Sequence, residues 1–259
     1  MSASLRRGQT GRLVWWRWRR RTILTGMSDP NPSGAEALWT AVDAYLADHL
    51  IEKDEVLEAA LRESEAAELP PIQVTPLQGK MLHIFARMAG ARRILELGTL
   101  GGYSTIWLAR ALPESGRMVT LEASAKHAAV ARKNLERAKL LGKVELREGP
   151  ALETLPKLLA ERVEPFDLIF MDADKEHNAE YLDWALRLSR VGTVIVTDNV
   201  VREGTVLDAA SDNAMVQGTR RFFDAVAAVP HVTATAIQTV SGKKYDGFAL
   251  LIVDRPSGR

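Results

Sequence analysis

The chain has 259 residues, of which 46% are hydrophobic, and carries 34 basic and 33 acidic side chains. A chain of this length forms one large domain or two small ones and can bury a substantial core. No run approaches the roughly 20 apolar residues that a membrane-spanning helix needs, so we expect no stable membrane insertion. There is no cysteine, which excludes disulfide scaffolds, thiolate zinc sites and cysteine nucleophiles. The lack of cysteine also fits a reducing compartment, and we expect a cytoplasmic location.

The first 26 residues differ in composition from the rest. They contain seven arginines, three of the six tryptophans and no acidic residue, so residues 27–259 carry a net charge of −6. We expect this basic head to be disordered, or to be upstream sequence ahead of a start at Met27. The alternative is a targeting segment, or a segment that meets a membrane surface or nucleic acid, because all of these are rich in basic residues.

Helices and strands are predicted in a regular order after the head. Residues 35–69 form two amphipathic lead-in helices, Pro70 and Pro71 end them, and a third helix follows at residues 76–89. Five short apolar segments then alternate with helical stretches. The predicted strands are residues 93–97, 118–121, 144–146, 166–171 and 193–197, and the helices are residues 103–112, 126–141, 152–160 and 179–189.

Strands that alternate with helices of this length form βαβ units and a parallel sheet covered on both faces. After a helix near residues 213–229, the last two strands, residues 233–240 and 247–253, are joined by a loop too short for a crossover helix, so they form an antiparallel hairpin. The predicted fold is a single α/β domain over residues 27–259. It has a Rossmann-like seven-stranded sheet of five parallel strands and a C-terminal hairpin, with helices on both faces.

A glycine-rich segment, Gly98–Gly102, follows the first predicted strand. Glycine lets the backbone approach a ligand closely, and the start of the next helix attracts negative groups. Leu100 interrupts the G-x-G-x-x-G fingerprint of dinucleotide-binding proteins, which argues against NAD. Glu122, at the end of the second strand, is suited to bind a ribose diol. A glycine-rich turn alone often serves packing, but together with Glu122 it predicts a nucleoside-containing cofactor.

Acidic and amide side chains follow the fourth and fifth strands. Asp172 and Asp174 come after the fourth strand, and Asp198 and Asn199 after the fifth. If these strands are neighbours, Asp172, Asp198 and Asn199 lie close together on the rim that holds the glycine-rich segment. Such oxygen ligands suit a hard divalent cation such as Mg²⁺ rather than zinc. Any one of them could instead cap a helix, but the two motifs together predict a metal site.

These motifs as a set resemble the cation-dependent O-methyltransferases of the catechol and caffeoyl-CoA type. The matching segments are Glu-Leu-Gly-Thr-Leu-Gly-Gly-Tyr-Ser at residues 96–104, the strand-end Glu122, Phe-Met-Asp-Ala-Asp-Lys at residues 170–175, and Asp198–Asn199. The resemblance covers residues 72–253. It implies S-adenosylmethionine (SAM) as methyl donor, a Mg²⁺-type ion, a small aromatic acceptor with vicinal hydroxyls, and a homodimer with the lead-in helices as contact surface.

The resemblance also implies individual roles. The residues that would surround the methionine part of SAM are Val74, Glu96, Gly98, Thr99 and Ser104. Glu122 would hold the ribose, and Ala151, helped by Asp174, would border the adenine. Asp172, Asp198 and Asn199 match the metal ligands, and Asp172 is implied in cofactor binding and catalysis as well. Lys175 matches the proposed catalytic base.

Methyl transfer from a sulfonium to a phenol has chemical requirements that these residues could meet. A sulfonium methyl group is already activated, so the protein must align an oxygen nucleophile with it. A phenol, with a pKa of about 10, is a poor nucleophile until a divalent ion helps it to lose its proton. Lys175 could take that proton if burial and the ion lowered its own pKa. The alternative is a solvated lysine, or a salt-bridge partner of Asp172 or Asp174.

Other functions and residues stay open. A SAM-binding protein with a non-catechol acceptor or a regulatory role is the main alternative. An aspartyl phosphatase would carry its Asp-x-Asp motif on the first strand and not after the fourth. Residues 27–259 carry a net charge of −6, which would repel the phosphates of a nucleic acid, so we expect no nucleic-acid partner. His177 could line the acceptor pocket, and residues 202–217 match acceptor-contacting loops of the family. The histidines expected to be structural or exposed are His49, His83, His127 and His231.

Overall fold

The computed structural model describes residues 32–255. The predictions about residues 1–26 lie outside the described residues. The helices are α1 (Pro32–Leu50), α2 (Glu55–Ala66), α3 (Pro76–Met88), α4 (Tyr103–Ala111), α5 (Ala125–Arg137), α6 (Ala151–Ala160), α7 (Asn178–Arg187) and α8 (Ala214–Ala228). The strands are β1 (Arg93–Leu97), β2 (Arg117–Glu122), β3 (Val144–Glu148), β4 (Phe166–Met171), β5 (Ser189–Asp198), β6 (Val232–Ser241) and β7 (Lys244–Val253), and a 3₁₀ segment spans Arg202–Leu207. Within the described range, no helix has the length and apolar character needed to cross a membrane.

The predicted sheet is confirmed. Seven strands lie in the order β3-β2-β1-β4-β5-β7-β6. The first five are parallel, whereas β7 runs antiparallel to both β5 and β6. The strand order reverses between β1 and β4, which is where ligands bind in open α/β sheets. Because Met171 pairs with Thr197, the residues that follow them, Asp172 and Asp198, lie side by side at the edge of the sheet.

Helices cover both faces of the sheet, and each face has its own apolar core. Alternate residues of the central strand β4 serve the two cores: Leu168 and Phe170 pack with α3, α4 and α5, and Ile169 and Met171 pack with α6, α7 and α8. All four side chains are at most 1% exposed. Burying a side chain of this size contributes about 2 kcal/mol, so the centre of the sheet is a rigid base for the rim above it.

The two largest boundary differences from the predictions, of four residues each, are at α5 and β5. Helix α5 ends at Arg137, whereas apolar spacing predicted a helix as far as residue 141; Lys139 takes a left-handed conformation (φ 58°) that a helix cannot accommodate. Strand β5 begins at Ser189, four residues before the predicted start, and pairs there with Phe166 across a register shift. A polar, irregular strand start of this kind has no alternating pattern to reveal it.

Candidate active site

A cavity of about 680 Å³ opens at the carboxyl ends of β1, β2, β4 and β5. Most of the residues predicted for the site line it: Val74, Gly98, Thr99, Ser104, Glu122, Ala151, Asp172, Asp174, Lys175 and Asn199. Glu96 and Asp198 are buried beside it and do not line it. Ten of the twelve predicted site residues therefore line one space, in which the glycine-rich segment meets the end of β4 at Asp172.

The glycine-rich segment is held between two strand ends. Gly98 has a φ of +94°, and a Cβ atom there would lie 2.4 Å from the Asp172 carbonyl oxygen, so only glycine fits. Its N–H donates to the Leu121 carbonyl at 3.0 Å, and the Asp172 N–H donates to the Leu97 carbonyl at 2.8 Å. Leu100, the residue that departs from the dinucleotide fingerprint, also takes a positive φ of 50°. The segment thus turns sharply toward the cavity.

Glu122 holds that turn in place. Its carboxylate accepts hydrogen bonds from the N–H groups of Thr99 (3.2 Å), Leu100 (2.7 Å) and Ser124 (2.9 Å). His127 lies 3.3 Å away and lines the cavity, although it was expected to be structural or exposed. A carboxylate has about four lone-pair positions, so Glu122 keeps capacity for a ligand hydroxyl.

Glu96 lies behind the cavity. It is fully buried and accepts hydrogen bonds from the hydroxyl groups of Ser104, Thr105 and Thr120 at 2.5–2.7 Å. Burial raises the pKa of Glu96 to about 7, even though these three bonds lower it. Ser104 is the member of this network that reaches the cavity, so Glu96 positions Ser104 from behind.

Lys175 pairs with Asp172. Its Nζ donates to Asp172 Oδ1 at 2.6 Å and to the Ala173 carbonyl at 3.0 Å, and the residue is only 5% exposed. Lys175 therefore forms a salt bridge with Asp172, which was one of the alternative interpretations of this lysine from the sequence. The contact also places the amine beside the Asp172 carboxylate at the cavity wall.

Asn199 has a fixed orientation. Its Nδ2 donates to Asp246 Oδ2 at 3.2 Å, which turns its Oδ1 the other way. Asp246 Oδ1 also accepts the N–H groups of Val201 (3.0 Å) and Arg202 (2.9 Å). An acidic residue on β7 therefore holds the turn that follows β5, with Asn199 itself in a left-handed conformation (φ 55°).

The predicted ligand set suits a hard cation. Burial, and after it the charge of Asp172, raises the pKa of Asp198 above its ordinary range, so the two carboxylates are close enough to repel each other. A divalent cation would relieve that repulsion, and the Asn199 Oδ1 atom would add a third oxygen donor. In the part of the chain that the structure describes, no three His, Cys, Asp or Glu side chains converge on one point. A cation site here would therefore depend on two carboxylates and this amide.

Asp174, His177 and Tyr181 form a second polar group on the wall. Asp174 contacts His177 Nδ1 at 2.6 Å and accepts a hydrogen bond from the Tyr181 hydroxyl. Burial raises the pKa of Asp174, but these bonds outweigh it and lower the pKa overall; Asp174 in turn raises the pKa of His177. His177 lines the cavity, as the sequence left open.

Several cavity or supporting residues were not identified from the sequence. Tyr181, Met215 and His127 line the cavity from helices, and Asp246 acts on Asn199 from 47 positions away in the chain. Arg202 lies within the stretch matched to acceptor-contacting loops, but it was not singled out. Apart from the Asp-Gly pair at Asp246 and Gly247, which suggests a turn, no local sequence signal identifies them.

The chain matches the family model described as O-methyltransferase over residues 47–250. It is 52% identical to catechol O-methyltransferase of Niastella koreensis and 54% identical to that of Mycobacterium tuberculosis, covering 83% and 82% of this chain and 98% and 94% of those proteins. It is also similar to the crystal structure of a Bacillus cereus O-methyltransferase in complex with SAH, with a TM-score of 0.84 and 57% identity over 85% of this chain and all of that one. The chain therefore belongs to the O-methyltransferase family and is a SAM-dependent enzyme.

Proposed function

We propose that this enzyme transfers the methyl group of SAM to one hydroxyl of a small aromatic acceptor with vicinal hydroxyls, and that a divalent cation such as Mg²⁺ assists. The observation that carries the proposal is the single cavity lined by both the Gly98–Ser104 segment with Glu122 and the Asp172, Lys175 and Asn199 group. The two relatives named catechol O-methyltransferase support the same acceptor class.

The donor end of the cavity would hold SAM. Glu122 offers lone pairs for the ribose hydroxyls. Thr99 belongs to the glycine-rich segment, Ser104 lies in the first turn of α4, and Ala151 begins α6 next to Gly149 and Pro150. SAM supplies a methyl group already activated by its sulfonium. The task of these residues is therefore to orient the donor and keep its reactive end facing the Asp172 side of the cavity.

The acceptor end would hold the cation and the diphenol. Asp172, Asp198 and Asn199 are the ligands that we propose for the cation, which would supply positive charge that favours the phenolate. Lys175 Nζ, beside Asp172, is the group that we propose takes the phenolic proton and later releases it to solvent. In the transfer, a carbon–oxygen bond forms and the carbon–sulfur bond breaks.

Isomeric acceptors test this proposal. The full chain is incubated with labelled SAM, Mg²⁺ and either 1,2- or 1,3-dihydroxybenzene. We expect methylation of the 1,2-isomer alone, because only vicinal hydroxyls can share one cation. Lys175→Met should abolish transfer, whereas Lys157→Met, at an exposed lysine of α6, should not. Equal transfer to both isomers would contradict the acceptor assignment.

We further propose that the enzyme is a homodimer with α1 at its interface. Leu38, Val42, Tyr45 and Leu46 follow helical spacing on one side of α1, and Leu38 and Tyr45 are 63% and 62% exposed. Met88 adds an exposed apolar side chain at the end of α3. A contiguous apolar patch on a helix is typical of a protein–protein contact.

A further inference from the structure

We propose that Arg202 is an anion-binding subsite of the acceptor pocket, so that the preferred acceptors are vicinal diphenols whose ring carries a carboxylate. This inference rests on the proposed function above, since it concerns the acceptor of the same reaction. It assigns to the cavity a charged group that neither the donor nor the cation requires.

The basic side chains that line the cavity differ in whether a carboxylate lies beside them. Three of them face a carboxylate: Lys175 lies 2.6 Å from Asp172, His177 lies 2.6 Å from Asp174, and His127 lies 3.3 Å from Glu122. Arg202 lines the same cavity, and among the residues described here no acidic side chain forms a salt bridge with it. The cavity thus contains a positive charge that is not neutralised by a neighbour.

The guanidinium of Arg202 also lacks hydrogen-bond partners. Its Nε atom is buried and donates to no described group, and its Nη2 atom reaches only the Met215 sulfur at 3.7 Å. A guanidinium has five N–H donors in a planar fork, and buried donors are normally satisfied. The group that matches this fork is a planar carboxylate, which accepts two parallel hydrogen bonds from it.

The backbone holds Arg202 in this position against its own preference. Arg202 and Glu203 have positive φ values of 54° and 55°, which non-glycine residues rarely adopt. The conformation persists because Asp246 accepts the Arg202 N–H and because the Thr205 hydroxyl donates to the Arg202 carbonyl at 2.6 Å. The neighbouring Glu203 instead reaches Lys244, at 3.5 Å. Strain of this kind clusters at functional sites.

The spacing suits a small aromatic acid. Arg202 follows Asn199 by three residues, so their Cα atoms are at most about 10 Å apart. A diphenol with its hydroxyls at the Asn199 and Asp172 end can therefore direct a ring substituent toward the guanidinium. The recognised chemistry is the carboxylate itself, either directly on the ring or at the end of a short unsaturated chain.

Matched acid and ester acceptors test the inference. Values of kcat/KM are measured for 3,4-dihydroxybenzoate and 3,4-dihydroxycinnamate and for the methyl ester of each, with the full chain, SAM and Mg²⁺. We expect the wild-type enzyme to favour the acid of at least one pair by on the order of tenfold or more, because a hydrogen bond to a charged group has about that effect. Arg202→Gln should bring the acid-to-ester ratio close to one, mainly through KM, and Arg202→Lys should restore part of it.

The control is Arg187→Gln, at an exposed arginine of α7 that pairs with Asp183, which should keep the wild-type ratio. The inference is overturned if the wild-type enzyme favours neither acid, or if Arg202→Gln leaves the ratio unchanged. Both results can occur while the esters and 1,2-dihydroxybenzene are methylated, in which case the proposed function stands. If no diphenol of either charge is methylated, the proposed function itself fails.

Discussion

Asp246 orients Asn199, one of the three ligands that we propose for the cation. The Asp246 carboxylate can only accept hydrogen bonds, so it forces the Asn199 amide to present Nδ2 to it and Oδ1 to the proposed cation. Asp246→Asn would place an NH₂ group opposite Asn199, because the other side-chain atom must still accept the backbone N–H groups of Val201 and Arg202. The Asn199 amide would then turn over and present nitrogen to the cation.

We therefore expect Asp246→Asn to weaken binding of Mn²⁺, used as a probe, by on the order of tenfold or more, as for other residues that orient metal ligands. Calorimetric titration of the full chain measures this without any turnover. Asp254→Asn is the matched control, since Asp254 bonds to Thr233 at the far end of the hairpin. Unchanged Mn²⁺ affinity in Asp246→Asn would refute this role.

Glu96 leads to a prediction about pH and stability. Its pKa is about 7 in the folded protein and 4.5 ordinarily, so the folded state holds the proton more tightly. The stability that this provides is present below pH 4.5 and is lost as the pH rises through 7. The side chain in Glu96→Gln cannot ionise, so the variant does not lose this stability. Between pH 4.5 and pH 8, the free energy of unfolding of the variant should therefore rise by about 3 kcal/mol relative to that of the wild type. Urea denaturation at both pH values measures the change, and a pH-independent difference would contradict it.

At the scale of elements, the site depends on how closely the turn after β1 approaches the end of β4. Gly98→Ala would place a Cβ atom 2.4 Å from the Asp172 carbonyl oxygen at a φ of +94°. We expect SAM affinity to fall by on the order of tenfold or more, because strain of roughly 1–3 kcal/mol falls on the donor site. Gly142→Ala is the control, as a Cβ atom there meets nothing within 4 Å. Calorimetric titration measures the affinity of both variants for SAM. Equal affinities would show that the close approach of Gly98 to the Asp172 carbonyl does not matter for SAM binding.

Most elements could be predicted from the sequence because each has a local cause. The β4 segment is apolar throughout since it is buried on both faces, and α3 begins with Pro76 after Thr75, whose side chain forms a capping box with Gln78. The glycine-rich turn, Glu122 and the acidic strand ends are local patterns as well. The start of β5 could not be predicted, because its pairing depends on a register shift and not on its own residues.

The remaining site residues depend on contacts between distant parts of the chain. Asp246 meets Asn199 only because β7 inserts antiparallel beside β5, and Tyr181 reaches Asp174 only because α7 packs over the end of β4. The burial of Glu96 behind Ser104 likewise depends on how α4 and β2 flank β1. Spacing along a sequence carries no record of such contacts, which explains why these roles emerge only from the fold.

At the scale of the whole molecule, the apolar side of α1 predicts self-association. Leu38→Asp combined with Tyr45→Asp would place two charges in the proposed interface, and we expect the dimer to dissociate. Ala44→Asp changes an exposed residue on another side of the same helix and should leave the dimer intact. Light scattering coupled to gel filtration measures the mass of the full chain. A wild-type monomer, or a dimer that survives the double substitution, would contradict the proposal.

In the function that we propose, one cavity brings a SAM-type donor site and a cation site to the same acceptor hydroxyl. The most direct test is transfer of a labelled methyl group from SAM to 1,2-dihydroxybenzene by the full chain, measured with Mg²⁺, after addition of EDTA, and after Mg²⁺ is restored in excess. We predict that transfer stops with EDTA and returns with Mg²⁺, and that Asp172→Ala shows no transfer under any of the three conditions. Transfer that continues undiminished in EDTA would contradict the proposed role of the cation.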